Sequence, residues 1–262
     1  MPSIDELFRA SKPSLGKKCR LRNIFGEDCR ALIVAMDHGM IGNVQLKPLG
    51  DIAEKVVEGG ADALLITPSA ARYLMDRLKR KVPFVFSIPY DPSYVELAVK
   101  LGADAVKTTY FGKVPLDWDA MEKVWAVARA CDEWGMPYIA EIVPCDENGK
   151  IIYDVEKVKQ AVRIGGELGG DVVKTPYVGP VQAYKEVVET SFVPITVMGG
   201  PKMDTIEEAL KMVKNAVDAG ATGGTIGRNI WQNERPDRIV KAMISIIHEG
   251  KDVEEAMKIV KG

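Results

Sequence analysis

The sequence predicts a single-domain α/β protein folded as a (β/α)8 TIM barrel, and three observations support that prediction. Eight short apolar runs, rich in β-branched residues, are each followed by a polar or glycine-containing turn and then by an amphipathic stretch. Continuous apolar runs of this kind are typical of parallel strands that are covered on both faces. A chain of 262 residues has the length of one such barrel. It also contains no Ser- or Pro-rich linker that would indicate a domain boundary.

Strands and helices alternate regularly along the chain. The predicted strands span residues 31–36, 62–67, 84–88, 103–109, 138–143, 171–175, 194–199 and 223–227. The clearest helical patterns span residues 51–60, 92–102, 117–135 and 204–220, and a further helix follows at 252–262. Eight repeats favour a closed barrel over a doubly wound sheet, which usually has fewer strands. We therefore treat residues 1–262 as one domain and expect residues 1–30 to form a helix or lid over one end of the barrel.

The composition of the chain limits the classes of partner it is expected to bind and the cell compartment in which it is expected to work. The chain has 35 basic and 37 acidic residues, a net charge of −2, and no basic tract, which disfavours nucleic acid or a membrane surface as partner. No apolar run approaches the roughly 20 residues that span a bilayer. The N-terminal segment MPSIDELFRA lacks the apolar stretch of a secretion signal. These features indicate a cytoplasmic protein.

Lys174 lies inside the sixth predicted strand, in the segment GGDVVKTPYVG. Barrel enzymes place their catalytic groups at the C-terminal ends of strands, and strand alternation puts Val172 and Lys174 on the same face. Burial lowers the pKa of a lysine, and the neutral amine can attack a ketone or aldehyde to form an imine. The alternative is an ordinary lysine whose ammonium extends out of the barrel mouth into water.

Three more ionisable residues interrupt apolar strands. Lys107, on strand four, is a second cation near Lys174, or the imine-forming residue itself, or a partner in a structural ion pair. Glu141, on strand five, is expected to have a pKa raised by burial and to move protons, or else to neutralise a lysine. Asp37, at the end of strand one, is expected to bind a substrate hydroxyl or to orient a lysine.

Glycine-rich turns after the last two strands are candidates for a phosphate site. Gly199 and Gly200 follow strand seven, and Gly227 and Arg228 follow strand eight. Exposed backbone N–H groups beside helix N-termini favour an anion, and barrels commonly bind phosphate between these two loops. The planar guanidinium of Arg228 suits phosphate oxygens.

A metal centre is not expected, because the chain has only two histidines, His38 and His248. His38 directly follows Asp37, and packing is the more common role for such a histidine. The sequence predicts neither a metal nor another cofactor.

The motifs DVVKTPYVG, ITVMGGPK and GRNIWQ resemble those of the archaeal-type class I fructose-bisphosphate aldolases. Together with LGKKCRLRNIF and VAMDHG, they are still more similar to the 2-amino-3,7-dideoxy-D-threo-hept-6-ulosonate synthases. The resemblance covers nearly the whole chain. It implies Lys174 as the Schiff-base lysine, Asp37 as an acid–base or orienting residue, and a phosphate at Gly199, Gly200, Gly227 and Arg228.

The segment after strand five departs from both families. They carry a proton-transferring tyrosine before a proline, followed by an Arg-Gly pair, whereas here Val143 and Cys145 stand at those positions in EIVPCDENG. Strand five instead resembles that of the tagatose-bisphosphate and sulfofructose-phosphate aldolases, whose glutamate at the position of Glu141 shuttles the proton. The segment GADAVK, which contains Lys107, is also similar to their strand four.

These resemblances imply a class I aldolase that reversibly cleaves a phosphorylated ketose through a lysine Schiff base. One alternative is a transaldolase-like synthase that passes the fragment to a second carbonyl compound. Another, suggested by Val143, is a non-catalytic sugar-phosphate sensor on an aldolase scaffold. The resemblance also implies a homo-oligomer.

Overall fold

A computed structural model of the protein describes residues 3–42 and 48–262. Eight parallel strands close into a barrel in chain order, each paired with the next and the last with the first. The predicted fold is confirmed, and the strand boundaries agree within a few residues. The strands are β1 Ala31–Ala35, β2 Ala63–Ile66, β3 Phe84–Ser87, β4 Ala105–Gly112, β5 Tyr138–Pro144, β6 Val172–Pro176, β7 Ile195–Met198 and β8 Gly223–Ile226.

Helices connect the strands and cover the outside of the barrel. They are α1 Ile4–Leu7, α2 Leu15–Ile24, α3 Leu49–Glu58, α4 Pro68–Leu78, α5 Ser93–Lys100, α6 Trp118–Glu133, α7 Val155–Glu167, α8 Val181–Thr190, α9 Ile206–Asp218, α10 Arg228–Trp231, α11 Pro236–Ile247 and α12 Val253–Lys261. A 3-10 helix, His38–Ile41, follows β1. Several helices begin at residues whose side chains accept a hydrogen bond from the first-turn backbone, as at Asp117, Asp154, Thr205 and Asp252. No helix in the described ranges is both long enough and apolar enough to span a membrane.

Strand alternation divides the core into two layers. One set of strand residues, such as Val173 and Ala140, packs against the surrounding helices. The alternate set, such as Val172 and Ile139, faces the barrel interior and forms one apolar cluster that includes Leu21 of α2. The first helices therefore lie at the N-terminal end of the barrel, and the interior of that end is apolar. Polar side chains on the same interior face can meet only further along the strands, toward their C-terminal ends.

Lys17 of α2 anchors the N-terminal helices to the barrel. Lys17 is 3% exposed, and its ammonium lies 2.8 Å from Asp171 Oδ2 and 2.6 Å from Asp132 Oδ1. Asp171 Oδ2 also accepts a hydrogen bond from the Tyr138 backbone N–H. Burial lowers the pKa of Lys17, but the two carboxylates outweigh it and raise that pKa, so the lysine stays charged.

Replacing Lys17 should therefore destabilise the fold. Lys17→Ala leaves the buried Asp171 carboxylate without its cation, and we expect the free energy of unfolding to fall by about 3 kcal/mol. Urea denaturation measures it. Lys18→Ala is the matched control, because Lys18 pairs with Asp5 at 2.9 Å where both side chains are exposed, and its loss should cost under about 1 kcal/mol. Equal losses in the two variants would contradict the prediction.

Candidate active site

Four ionisable side chains meet at the C-terminal end of the barrel. Lys107, Glu141 and Lys174 lie on β4, β5 and β6, each two residues beyond an apolar interior residue, and Asp37 follows β1. The strand register places Glu141 directly beside Lys174. The side chains are almost fully buried, with exposed fractions of 4% for Lys107, 5% for Glu141, 8% for Lys174 and 13% for Asp37.

The Glu141 carboxylate bridges two ammonium groups. Its Oε1 lies 2.5 Å from Lys174 Nζ, and its Oε2 lies 2.9 Å from Lys107 Nζ. Lys107 Nζ also lies 3.1 Å from Asp37 Oδ2. Two cations and two anions thus alternate in one buried cluster, and the opposite charges offset the cost of removing each from water.

Thr109 belongs to the same cluster, although the sequence analysis did not identify it. Its hydroxyl accepts a hydrogen bond from Lys107 Nζ at 2.5 Å and donates one to Glu141 Oε2 at 2.8 Å. Because Thr109 lies two residues after Lys107 on β4, strand alternation was a signal that could have placed it on the interior face.

The protonation states of Glu141 and Lys107 are determined by the opposite charges that surround each of them. Burial alone would raise the pKa of Glu141, but Lys107 and Lys174 outweigh it and lower that pKa to about 2. The expectation of a raised pKa at Glu141 is therefore wrong, because it considered burial without the two neighbouring cations. Burial likewise opposes the charge of Lys107, but Glu141 and Asp37 raise its pKa. Lys107 is held as an ammonium.

The loops after β7 and β8 are tied together by Asn229, which the sequence analysis also missed. Its side-chain amide donates to the carbonyl oxygens of Gly199, at 2.8 Å, and Pro201, at 3.1 Å. Its Oδ1 accepts the backbone N–H of Met203 at 2.7 Å. The side chain is 3% exposed. These bonds fix the loop that carries Gly199 and Gly200.

The four residues predicted to bind phosphate, Gly199, Gly200, Gly227 and Arg228, lie in the segments that follow β7 and β8. At two of these positions the backbone conformation or close packing by itself explains why the residue is glycine. Gly200 has φ +63°, which a side chain disfavours. A Cβ on Gly227 would lie 2.6 Å from His38 Cε1 and 2.7 Å from the Ala35 carbonyl oxygen, so close packing alone requires glycine there. Arg228 Nε is buried and has no hydrogen-bond partner among the described residues. A buried guanidinium donor of this kind suits an anion.

His38 is close both to the charge cluster, through Asp37 and Lys174, and to Arg228. Its ring packs edge-on against Trp231, with centroids 5.3 Å apart, and its Nδ1 lies 3.6 Å from Asp37 Oδ1. Burial lowers the pKa of His38; Asp37 opposes this, and Lys174 and Arg228 lower it further. His38 therefore presents a neutral imidazole between the lysine cluster and Arg228.

A hairpin after β5 brings Tyr153 to the glycine loop. The hairpin is closed by a bridge between Cys145 and Ile151, and both pack against Met198 of β7. The Tyr153 hydroxyl lies 3.5 Å from the position of a Cβ on Gly200. It lines a cavity of about 550 Å³ together with Gly199, Gly200, Lys202 and Tyr177. Tyr153 was not among the predicted site residues, because only the hairpin brings it there.

The chain is similar to known proteins over most of its length. The model of the DeoC/LacD family aldolases matches residues 31–233. The chain is 32% identical to an uncharacterized aldolase of Saccharolobus solfataricus, over 94% of this chain and 100% of that protein. It is 33% identical to 2-amino-3,7-dideoxy-D-threo-hept-6-ulosonate synthase 1 of Archaeoglobus fulgidus, over 93% and 95% of the two chains. A crystal structure of an archaeal fructose 1,6-bisphosphate aldolase is similar with a TM-score of 0.77 at 26% identity, covering 88% of this chain and 98% of that one.

Proposed function

Because the chain belongs to the DeoC/LacD family of aldolases, we propose that it reversibly cleaves a phosphorylated ketose through a Schiff base on Lys174. The observation that carries this proposal is the contact of 2.5 Å between Lys174 Nζ and Glu141 Oε1 inside the barrel. A nucleophilic lysine needs a base beside it, and a buried carboxylate in contact with the ammonium can serve as one. A similar solved structure, 27% identical with a TM-score of 0.75, has its catalytic lysine covalently bound to the carbinolamine of its substrate and covers 87% of this chain and 98% of that one.

Proton transfer between Lys174 and Glu141 accounts for imine formation. Lys174 passes a proton to Glu141, and the neutral amine attacks the ketone carbon to form a carbinolamine. Glu141 then has only Lys107 as a cationic neighbour, so its pKa rises and the carboxyl can return a proton. That proton leaves with the departing hydroxyl as water, and the imine remains on Lys174. The same carboxylate then accepts the substrate hydroxyl proton as the C–C bond breaks.

Lys107 and Asp37 act as fixed charges in this scheme. Glu141 and Asp37 keep Lys107 protonated, so it supplies hydrogen-bond donors for substrate oxygens rather than a nucleophile. Burial raises the pKa of Asp37, but Lys107 and Lys174 outweigh it and keep that pKa low. Asp37 therefore remains an acceptor that can bind a substrate hydroxyl.

The substrate phosphate is proposed to bind at Gly199, Gly200, Gly227 and Arg228. The unpartnered Nε of Arg228 and the glycine loop held by Asn229 support this placement. The similar solved structures include aldolases of a bisphosphate sugar.

Replacing Arg228 tests the phosphate site. Arg228→Ala should raise KM for a phosphorylated ketose while leaving KM for its dephosphorylated analogue nearly unchanged. Loss of a charge-assisted hydrogen bond should cost on the order of 2 kcal/mol, about 30-fold in KM. Steady-state kinetics with the substrate pair gives the comparison, and Arg163→Ala, on the outer helix α7, is the control. Equal effects on both substrates would place the anion elsewhere.

A screen of sugar phosphates with borohydride trapping tests the proposed function. Borohydride reduces an imine to a stable amine, so a substrate that forms the Schiff base adds its mass to the protein. Intact-mass spectrometry reads the result. If no phosphorylated ketose or aldehyde in the screen gives an adduct, the Schiff-base proposal fails.

Transfer to a second carbonyl compound is the other candidate. Two relatives, of 33% and 30% identity, are named heptulosonate synthases. Product measured with and without an added aldehyde acceptor separates the two reactions. Cleavage proceeds without the acceptor, whereas transfer requires it.

A further inference from the structure

Tyr153 is the residue that the hairpin after β5 brings to the glycine loop, and its backbone is fixed on both sides. Before it, the Ile152 backbone N–H donates to the Pro144 carbonyl oxygen at 2.9 Å. After it, Asp154 caps α7 and accepts the backbone N–H of Lys157 at 2.9 Å. The fold therefore sets the position of Tyr153, and binding a ligand through it requires little additional ordering.

The Tyr153 hydroxyl lies beside both parts of the proposed phosphate site. It is 3.5 Å from the position of a Cβ on Gly200, and the Arg228 guanidinium is near enough to affect its ionisation. Burial raises the pKa of Tyr153, and the positive charge of Arg228 opposes part of that rise. The phenol is therefore protonated at neutral pH and can donate a hydrogen bond.

The Tyr153 hydroxyl is not used by the fold itself. Within residues 3–42 and 48–262 it forms no hydrogen bond. Tyr153 is 54% exposed and borders the cavity of about 550 Å³ whose wall includes Gly199 and Gly200. A tyrosine with a purely structural role usually buries its ring and pairs its hydroxyl with another polar group. The hydroxyl of Tyr153 is instead available to a ligand in the cavity.

Three separate segments of the chain meet at this site. The loop after β7 contributes Gly200, the segment after β8 contributes Arg228, and the hairpin after β5 contributes Tyr153. Arg228 Nε is buried and has no hydrogen-bond partner among the described residues. A tetrahedral phosphate presents oxygens in several directions, so donors from different segments can each bind one of them.

We infer that the Tyr153 hydroxyl donates a hydrogen bond to the substrate phosphate, which makes Tyr153 a specificity-determining residue for phosphorylated substrates. This inference rests on the phosphate site proposed above, but it does not depend on the Schiff base at Lys174. Tyr153 contributes to binding and transfers no proton in the reaction. Its loss should therefore weaken the binding of a phosphate group and leave the chemical steps nearly unchanged.

Titration of the full chain with inorganic phosphate, followed by phosphorus NMR, tests the inference without turnover. Tyr153→Phe removes the hydroxyl and keeps the ring, and the phosphate dissociation constant should rise about tenfold. Arg228→Ala should raise it at least as much. Because both groups bind the same anion, adding Tyr153→Phe to Arg228→Ala should raise the constant by less than about threefold more. Tyr73→Phe, at a 58% exposed position on α4, is the matched control and should change nothing.

Kinetics with a phosphorylated ketose gives a second readout. Tyr153→Phe should raise KM about tenfold and leave kcat within about threefold of the wild-type value. If Arg228→Ala weakens phosphate binding but Tyr153→Phe matches the Tyr73→Phe control, the phosphate site stands and the inference is overturned. If the wild-type chain binds no phosphate, or neither variant weakens its binding, the inference and the phosphate site both fail. A lower kcat with unchanged KM would also overturn the inference, because Tyr153 would then act in proton transfer.

Discussion

Lys174→Ala should lose essentially all aldol cleavage, with kcat lower by about 10⁵-fold or more, as expected when a covalent nucleophile is removed. No other amine in the cluster can replace it, because Glu141 and Asp37 hold Lys107 as an ammonium. Borohydride treatment with substrate should add mass to the wild-type chain at Lys174 and leave the variant unmodified. Peptide mapping locates the adduct.

Lys174→Arg is the matched control for this prediction. The guanidinium keeps a positive charge against Glu141 but does not form an imine, because its pKa is too high for it to lose a proton. Both variants should therefore be inactive, although only the alanine variant leaves Glu141 short of one cation. An adduct that maps to Lys107 would reverse the roles of the two lysines.

The barrel could be predicted because its pattern is local and repeated. Each strand is a short apolar run, and a helix separates it from the next, so the eight strands could be placed within a few residues of their observed ends. The interior positions of Lys107, Glu141 and Lys174 followed from alternation along single strands. Resemblance to known families then suggested what these residues do.

The electrostatics of the site could not be predicted in the same way. The pKa of Glu141 depends on two ammonium groups from other strands, and their distances exist only in the closed barrel. Tyr153 reaches Gly200 only because a hairpin folds back onto β7. The close packing of Gly227 against His38, which requires glycine at that position, is also a contact between distant segments. Such properties come from contacts between distant segments, which no single segment encodes.

Glu141→Gln should lower kcat by roughly 10²–10⁴, the usual contribution of a general acid–base. Glutamine keeps the shape of the side chain, and its amide oxygen can still accept a hydrogen bond from one of the two lysines, but it cannot take the Lys174 proton or return it to the departing hydroxyl. Loss of the carboxylate also removes the anion that lies between the ammonium groups of Lys107 and Lys174. Imine formation and the later removal of the substrate hydroxyl proton should therefore both be slowed.

Thr109→Val distinguishes proton transfer by Glu141 from a merely structural role. It removes the hydrogen bond to Glu141 Oε2 and leaves the carboxylate in place, so we expect its effect on kcat to be below about tenfold. Thermal unfolding of both variants shows whether the charge cluster still folds. Pre-steady-state trapping with borohydride should show that Glu141→Gln forms the Lys174 imine more slowly than the wild-type chain, since both proton transfers that lead to the imine pass through the carboxylate. If Glu141→Gln instead retains near-normal kcat, Glu141 only positions the two lysines, and the proton must move through another group. The other carboxylate in contact with Lys107 is Asp37.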